Sequence, residues 1–374
     1  MPNGDTIRAG HRPAVSPEDL ESEARTILSP ASYDYYAGGA EDEVTLSANR
    51  RAFGRWGFRH RVLTGVADPD LSVELFGRHL SLPIILAPTA VHGLADSEGE
   101  LATARAAAGA GTTFCLSTLA SRTVEEVADA APAGSRWFQL YIYKDRGVTA
   151  ELVDRATAAG YEAIELTADF AVAGRRDRDL RNAFTLPAGV TYANLGGGAR
   201  TTMSAEDVRP GESGLAKYVA DLLDPTIGWT DLEWLVERSP MPVLVKGVVR
   251  KDDAELCVAH GAAGLVVSNH GGRQLDGSIP TLDALPEVVD AVGSKVPVLV
   301  DGGVRRGTDA LKAICLGARA VQIGRPYLWA LACNGEAGVL ALIEQLREEL
   351  VVGMTLLGAA RLADLSTDLL SRWD

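Results

Sequence analysis

The sequence predicts an α/β protein built as a single (β/α)8 barrel, on three observations. Eight short apolar runs recur along the chain, helical patterns separate them, and polar residues collect just after each run. The runs lie at residues 83–87, 112–116, 137–141, 163–167, 242–245, 262–267, 297–300 and 320–323. Brief apolar stretches rich in β-branched residues and bounded by turn signals suit strands covered on both faces. Helical patterns lie at 97–108, 124–130, 149–159, 231–237, 252–260, 282–292 and 308–316. Such alternation implies parallel crossovers, and eight units of this kind close into a TIM barrel.

Residues 1–17 are polar, lack the roughly 7 to 15 apolar residues of a signal peptide, and read as a flexible tail. Residues 18–374 read as one domain. Helix-like stretches at 17–27, 32–36 and 43–53 precede the first strand and are expected to cap one barrel mouth. Strand starts are spaced by about 20 to 35 residues, except for the far longer interval from Ala163 to Pro242. An insertion after strand 4, residues 171–229, must fill it. Its loop-rich segments Asn194-Leu195-Gly196-Gly197-Gly198 and Arg209-Pro210-Gly211 suggest a lid over the site.

With 374 residues, 47% of them hydrophobic and 23% charged, the chain can bury a sizeable core. A formal net charge of −14 excludes sequence-independent nucleic-acid binding, which needs clustered positive charge. Cys115, Cys257, Cys315 and Cys333 are scattered without a C-x-x-C pair, so neither a metal site nor a disulfide framework is expected. A reducing cytoplasm is the expected location. No uncharged apolar run of about 18 residues points to a membrane span.

In barrels of this kind the reactive groups lie at the C-terminal ends of the strands. Taken strand by strand, those ends carry Pro88-Thr89-Ala90, Ser117, then Gln139 and Tyr141, then Thr167 and Asp169, then Lys246. The sixth carries Ser268-Asn269-His270-Gly271-Gly272-Arg273-Gln274-Leu275-Asp276-Gly277. His270 can exchange protons near neutral pH, and Arg273 offers a bidentate fork to a carboxylate. Together they suggest proton abstraction from a small anionic acid, against the alternative of a His and an Arg that merely cap a loop. The last two strands end in Asp301-Gly302-Gly303-Val304-Arg305-Arg306-Gly307 and Gly324-Arg325-Pro326. Their glycines admit backbone N–H groups to an anion and their arginines pair with it, so a phosphorylated substrate or cofactor is expected there.

Lys246 ends a buried strand and needs a partner: an anionic or electron-accepting cofactor ring, or an ion pair with Asp169 or Asp301. Asp169 can instead hold His270 and stabilise its protonated form. Tyr141 and Tyr35 can hydrogen-bond a substrate, although plain aromatic packing serves Tyr35 equally well. A non-oxidising phosphate-binding barrel that uses Lys246 as nucleophile is the alternative of a different class.

The motif around His270 resembles the FMN-dependent α-hydroxy acid oxidase and dehydrogenase family. The likeness extends to residues 301–309, Leu244-Val245-Lys246-Gly247, Phe138-Gln139-Leu140-Tyr141 and Tyr33-Asp34-Tyr35-Tyr36, and runs from about Pro17 to the C-terminus. The resemblance implies that His270 is the base, supported by Asp169, while Arg176 and Arg273 bind the substrate carboxylate and Tyr35 and Tyr141 complete the pocket. It implies FMN contacts from Pro88, Thr89, Ala90, Ser117, Gln139, Thr167, Lys246, Ser268 and Asp301, with Gly303, Arg305, Gly324 and Arg325 on the phosphate. The implied reaction takes an (S)-2-hydroxy acid to the 2-oxo acid with O2 as acceptor, in a homotetramer or homo-octamer. Oxidation of an amine beside a carbonyl, or a non-oxygen acceptor, is the alternative within this resemblance. Leu119 stands where glycolate-oxidising members carry tryptophan, and residues 170–174 resemble mandelate-oxidising members, so a larger or aromatic acid is expected. Ala90 follows the oxidase pattern. His92 and Leu119 are expected as further pocket walls.

Overall fold

The structure, a computed structural model, describes residues 14–195 and 211–373. Residues 196–198, 209 and 210 of the expected lid loops and residues 1–13 of the expected tail lie outside the described residues.

Among the described residues three helices come first: α1 (Pro17–Ile27), α2 (Pro30–Ala37) and α3 (Val44–Gly54). Ser16 and Ser29 start the first two, each accepting a hydrogen bond from the backbone N–H three residues on, with proline at the first helical position. The third lacks a cap of its own side chain. Asp276 supplies it from the loop that carries His270, accepting from Thr45 N at 2.8 Å and Val44 N at 3.1 Å. A short strand β1 (Trp56–Phe58) and the hairpin β2 (Val73–Leu75) and β3 (Arg78–Leu80) follow.

The barrel is closed by eight parallel strands: β4 (Ile84–Leu86), β5 (Thr113–Leu116), β6 (Ser135–Leu140), β7 (Ala163–Thr167), β8 (Val243–Val248), β9 (Gly264–Val267), β10 (Val298–Val300) and β11 (Ala320–Ile323). All eight expected strands form. Alternation along each strand sends one set of side chains inward, and Ile85, Cys115, Trp137, Leu244, Val266 and Leu299 form a layer on the axis. Val73, Leu75 and Leu80 of the hairpin join that layer, so the hairpin plugs the N-terminal mouth.

One expectation changes. The fifth barrel strand does not stop at Val245 but continues to Val248, with an irregular register between Lys246 and Val248. Lys246 is therefore held within the strand, and Gly247 takes the kink at φ 109°. The insertion carries two helices, α4 (Asp177–Arg181) and α5 (Gly214–Leu222), ahead of the crossover helix α6 (Trp229–Arg238). A further helical span, Arg325–Leu357, follows the last barrel strand without having been expected. It is long and apolar enough to cross a membrane by length and composition. It breaks at Asn334 and Gly335, whose φ/ψ are not helical, and packs against α1 and the helix Glu100–Ala110. β12 (Leu370–Arg372) closes the described chain by pairing antiparallel with β1.

The cap divides its work. While α1 lies along the Arg325–Leu357 span, α2 and α3 reach the C-terminal mouth. There Asn49 and Asn269 exchange amide hydrogen bonds of 2.8 Å in both directions, fixing the residue next to His270.

Candidate active site

A cleft open to solvent lies at the C-terminal ends of the barrel strands. Pro88, Thr89, Ala90, Ser117, Gln139, Tyr141, Thr167 and Lys246 line it from the first five strands. His270, Arg273, Asp301, Gly303, Arg305, Gly324 and Arg325 line it from the last three, with Tyr35 from the cap and Arg176 from the insertion. Residues spread over almost 300 positions of sequence thus share one pocket.

His270 sits just past β9 in the left-handed region, φ 57°, which costs a non-glycine residue of order 1 kcal/mol and is tolerated where surrounding contacts impose it. Those contacts are visible. Its backbone N–H donates to Ser268 Oγ at 3.0 Å, its ring stacks on Phe170 at 5.1 Å, and its Nδ1 lies 2.9 Å from Asp169 Oδ1. A carboxylate only accepts, so Nδ1 carries the hydrogen and Nε2 keeps its lone pair. Burial pushes the imidazole below its usual range; Asp169 pulls it back only in part, and Lys246 adds to the lowering. For Asp169, burial acts upward, but His270 and Lys246 outweigh it and hold the carboxyl below its ordinary value. The pair is a neutral base backed by a carboxylate. Asp169 stands behind the imidazole and does not itself line the cleft.

Lys246 is buried at the floor. Its Nζ donates to Ser268 Oγ at 3.1 Å and pairs with Asp301 Oδ2 at 3.3 Å, so the expected ion pair with Asp301 is present. Burial disfavours the charge, yet Asp301, Asp169 and Glu165 more than compensate and raise the ammonium above its usual range. Lys246 is thus a fixed cation, unsuited to act as a neutral-amine nucleophile. Beside it Gln139 donates to Thr167 Oγ1 at 2.9 Å and accepts from Thr118 N at 3.1 Å, which orients its amide. Ser268, expected on the cofactor, is fully buried, and its Oγ accepts from both Lys246 Nζ and the His270 N–H.

Four guanidiniums converge here. Arg325 donates to Tyr36 O and Gly38 O at 2.9 Å each and to Gly271 O at 3.1 Å, tying the cap to the His270 loop. Arg273 donates to Gly38 O at 2.7 Å and lies over the Tyr35 ring at 5.2 Å. Burial and the neighbouring Arg176 push Arg273 down to about 10. Burial, then Arg273 and Arg305, drives Arg325 well below the ordinary range, and burial with Arg50 lowers Arg305. Mutually repelling cations in a low-dielectric cleft are the chemistry of an anion site.

Arg176 is buried, 3.9 Å from Asp179 Oδ2, and covers the Phe170 ring at 5.9 Å. Tyr35 stacks on Phe184 at 4.4 Å and Tyr141 tilts against Phe170 at 5.1 Å; burial raises both phenols, so they remain protonated donors. Leu119 lines the cleft. His92 does not: it is fully buried, with Nδ1 3.0 Å from Thr103 Oγ1 and Nε2 2.7 Å from Thr89 Oγ1. It is a satisfied core histidine, and it engages the Thr89 hydroxyl. The sequence alone left out Leu215 of α5 and Gln322 of β11, both of which line the cleft. Nothing in their local pattern marks them, since a leucine on a helix and a residue within a strand read as core.

The sequence model of the "FMN-dependent dehydrogenase" family matches residues 24–372. L-lactate oxidase of a Nostoc species is 52% identical over 94% of this chain and 96% of its own length. Glycolate oxidase 3 of Arabidopsis thaliana is 48% identical over 95% and 96%. Among solved structures, mandelate oxidase with (S)-4-hydroxymandelic acid superposes with a TM-score of 0.91 at 43% identity, covering 96% of this chain and 98% of that one. With this barrel and these strand ends, the chain belongs to the FMN-dependent dehydrogenase family.

Proposed function

We infer that the protein oxidises an (S)-2-hydroxy acid with a larger, aromatic side chain to its 2-oxo acid, with molecular oxygen as the final acceptor. The observation that carries this is the convergence of a neutral base, His270, and two buried guanidiniums, Arg176 and Arg273, on one cleft. The guanidiniums suit a carboxylate, and the imidazole suits the proton of a neighbouring carbinol.

The residues present fit FMN. Arg305 and Arg325 suit its phosphate, the kinked Gly302-Gly303 turn admits backbone close to it, and Gln139, Thr167 and Lys246 offer polar partners to a ring. Bound FMN supplies the two-electron acceptor. His270 enters neutral, takes one proton from the substrate on Nε2, and becomes an imidazolium held by the Asp169 carboxylate at Nδ1. Tyr35 and Tyr141 stay protonated and donate to substrate oxygens. In the whole cycle the hydroxy acid loses two electrons and two protons, and oxygen gains both to leave as hydrogen peroxide.

Leu119, Phe170 and Leu215 give the cleft an apolar wall that suits a ring or long chain better than a hydrogen or methyl group. The test is anaerobic mixing with glycolate, (S)-lactate, (S)-mandelate and long-chain 2-hydroxy acids while the absorbance near about 450 nm, where oxidised flavin absorbs, is followed. Bleaching fastest with (S)-mandelate, reversed by air with peroxide release, is the expected result. A yellow protein that no 2-hydroxy acid bleaches would overturn the assignment.

A further inference from the structure

Beneath the floor of the cleft lies an acid that the chemistry above does not use. Glu165 precedes Thr167 by two residues on β7, so both side chains share the inward face of the strand. It is fully buried, a setting in which an ionised carboxyl persists only when compensated. Its Oε2 accepts a 2.5 Å hydrogen bond from Gln322 Nε2 and the Cys115 thiol adds a weak donor to the carboxyl, while its Oε1 lacks a nitrogen or oxygen donor among the described residues. Gln322 lines the cleft, and its own Oε1 has no partner among the described residues. The groups facing the carboxyl are Lys246 from β8, Gln322 from β11, Asp301 after β10 and Cys115 from β5. Lys246 is the one cation of this set, and Asp301 and Asp169 draw on it too.

We propose that Glu165 is a proton-linked positioning residue that sets the reduction potential of the bound flavin through Lys246. Ionised, Glu165 spends part of the Lys246 charge within the barrel and opposes added negative charge at the floor of the cleft. Protonated, it leaves that charge free to support the reduced ring. When two electrons arrive above it, an ionised Glu165 takes one proton from solvent and becomes the neutral acid. Burial, only partly offset by Lys246 and Gln322, brings the carboxyl up to about 7, so the exchange falls near neutrality. The proposal rests on the assignment of Lys246 to the flavin ring.

The test is the midpoint potential of the FMN holoenzyme from about pH 5.5 to about pH 9, spanning the titration of a carboxyl raised to neutrality, in wild type, Glu165→Gln, Gln322→Leu and Lys246→Met. The wild-type potential should fall with pH more steeply across neutrality than that of Glu165→Gln. The two curves should meet at the acid end, with the variant higher at the alkaline end. Gln322→Leu removes the donor that favours the ionised carboxyl, so its steep segment should move to higher pH. A merely structural Glu165 would alter FMN retention or melting without changing the slope. Coincident wild-type and Glu165→Gln curves beside a lowered Lys246→Met curve overturn the role of Glu165 alone. If Lys246→Met coincides as well, the assignment of Lys246 to the ring falls with it.

Discussion

Gly247 and Asp169 are packed so closely that a β-carbon on Gly247 would stand 2.6 Å from the Asp169 Cβ. With φ at 109°, the glycine also occupies backbone space that other residues enter only with strain. The kink in β8 therefore seats the carboxyl that orients His270. Gly247→Ala should push Asp169 off Nδ1 and slow substrate-dependent flavin bleaching by about 10- to 100-fold, a part of the roughly 100- to 10,000-fold that general-base catalysis contributes. An unchanged bleaching rate in rapid anaerobic mixing would show that Asp169 tolerates displacement.

The imidazole itself sets the pH dependence. Its value in the protein is lowered by burial below the usual His value of about 6.5, and the active form is the neutral one. The rate of flavin reduction should therefore be lost as pH falls through that lowered value and stay level above about pH 7. His270→Ala should retain yellow FMN and lose at least about 100-fold in the reduction rate at every pH. A variant that still bleaches at the wild-type rate would remove His270 from the chemistry.

Arg273 illustrates why a point charge is a poor substitute here. Its guanidinium spans a carbonyl, the Tyr35 face and the cleft at once, which the compact ammonium of lysine cannot do. Arg273→Lys should weaken apparent substrate binding by about 10-fold or more, the equivalent of roughly 1.4 kcal/mol, while FMN content stays unchanged. Steady-state kinetics with a carboxylate and its amide checks this, because the variant should discriminate less between the two.

Leu119 offers a test of side-chain size. It is buried, yet lines the cleft, as Phe170 and Leu215 do. Leu119→Trp should reduce turnover of an aromatic acid by about 10-fold or more and spare glycolate, because overfilling a packed wall excludes the larger ligand first. Equal losses on both substrates would mean that the substrate side chain points elsewhere.

The barrel was legible because each strand is a short apolar run bounded by turns, and because chemistry at strand ends can be collected before any contact is known. Lys246 and Asp301 were legible as candidates, but only the closed barrel brings them within 3.3 Å. His92 misled since its motif neighbour, Thr89, lines the cleft; three residues further on, the chain has turned into the core. Asp276 reads as part of a catalytic motif and proves to cap α3, a role that depends on a helix more than 200 residues away. Glu165 escaped notice for the opposite reason: an acid inside an apolar run carries no mark of which way it faces until the strand register is known.

That buried acid has a consequence for stability that can be measured apart from catalysis. Its carboxyl is at about 7 in the folded protein against an ordinary 4.5, because burial disfavours the charge. The folded state then holds the proton more tightly than the unfolded chain does. Stability must fall as pH rises from about 4.5 to about 7, and the full penalty, up to about 3 kcal/mol, persists above that. Glu165→Gln keeps the shape and an amide partner for Gln322 but cannot ionise. Denaturant unfolding at saturating FMN should find the variant within about 1 kcal/mol of wild type near pH 5 and more stable by a growing margin up to pH 8. A difference that does not change with pH would mean that Glu165 is compensated in both protonation states, and that Lys246 carries more of its charge into the barrel than the ion pair with Asp301 suggests.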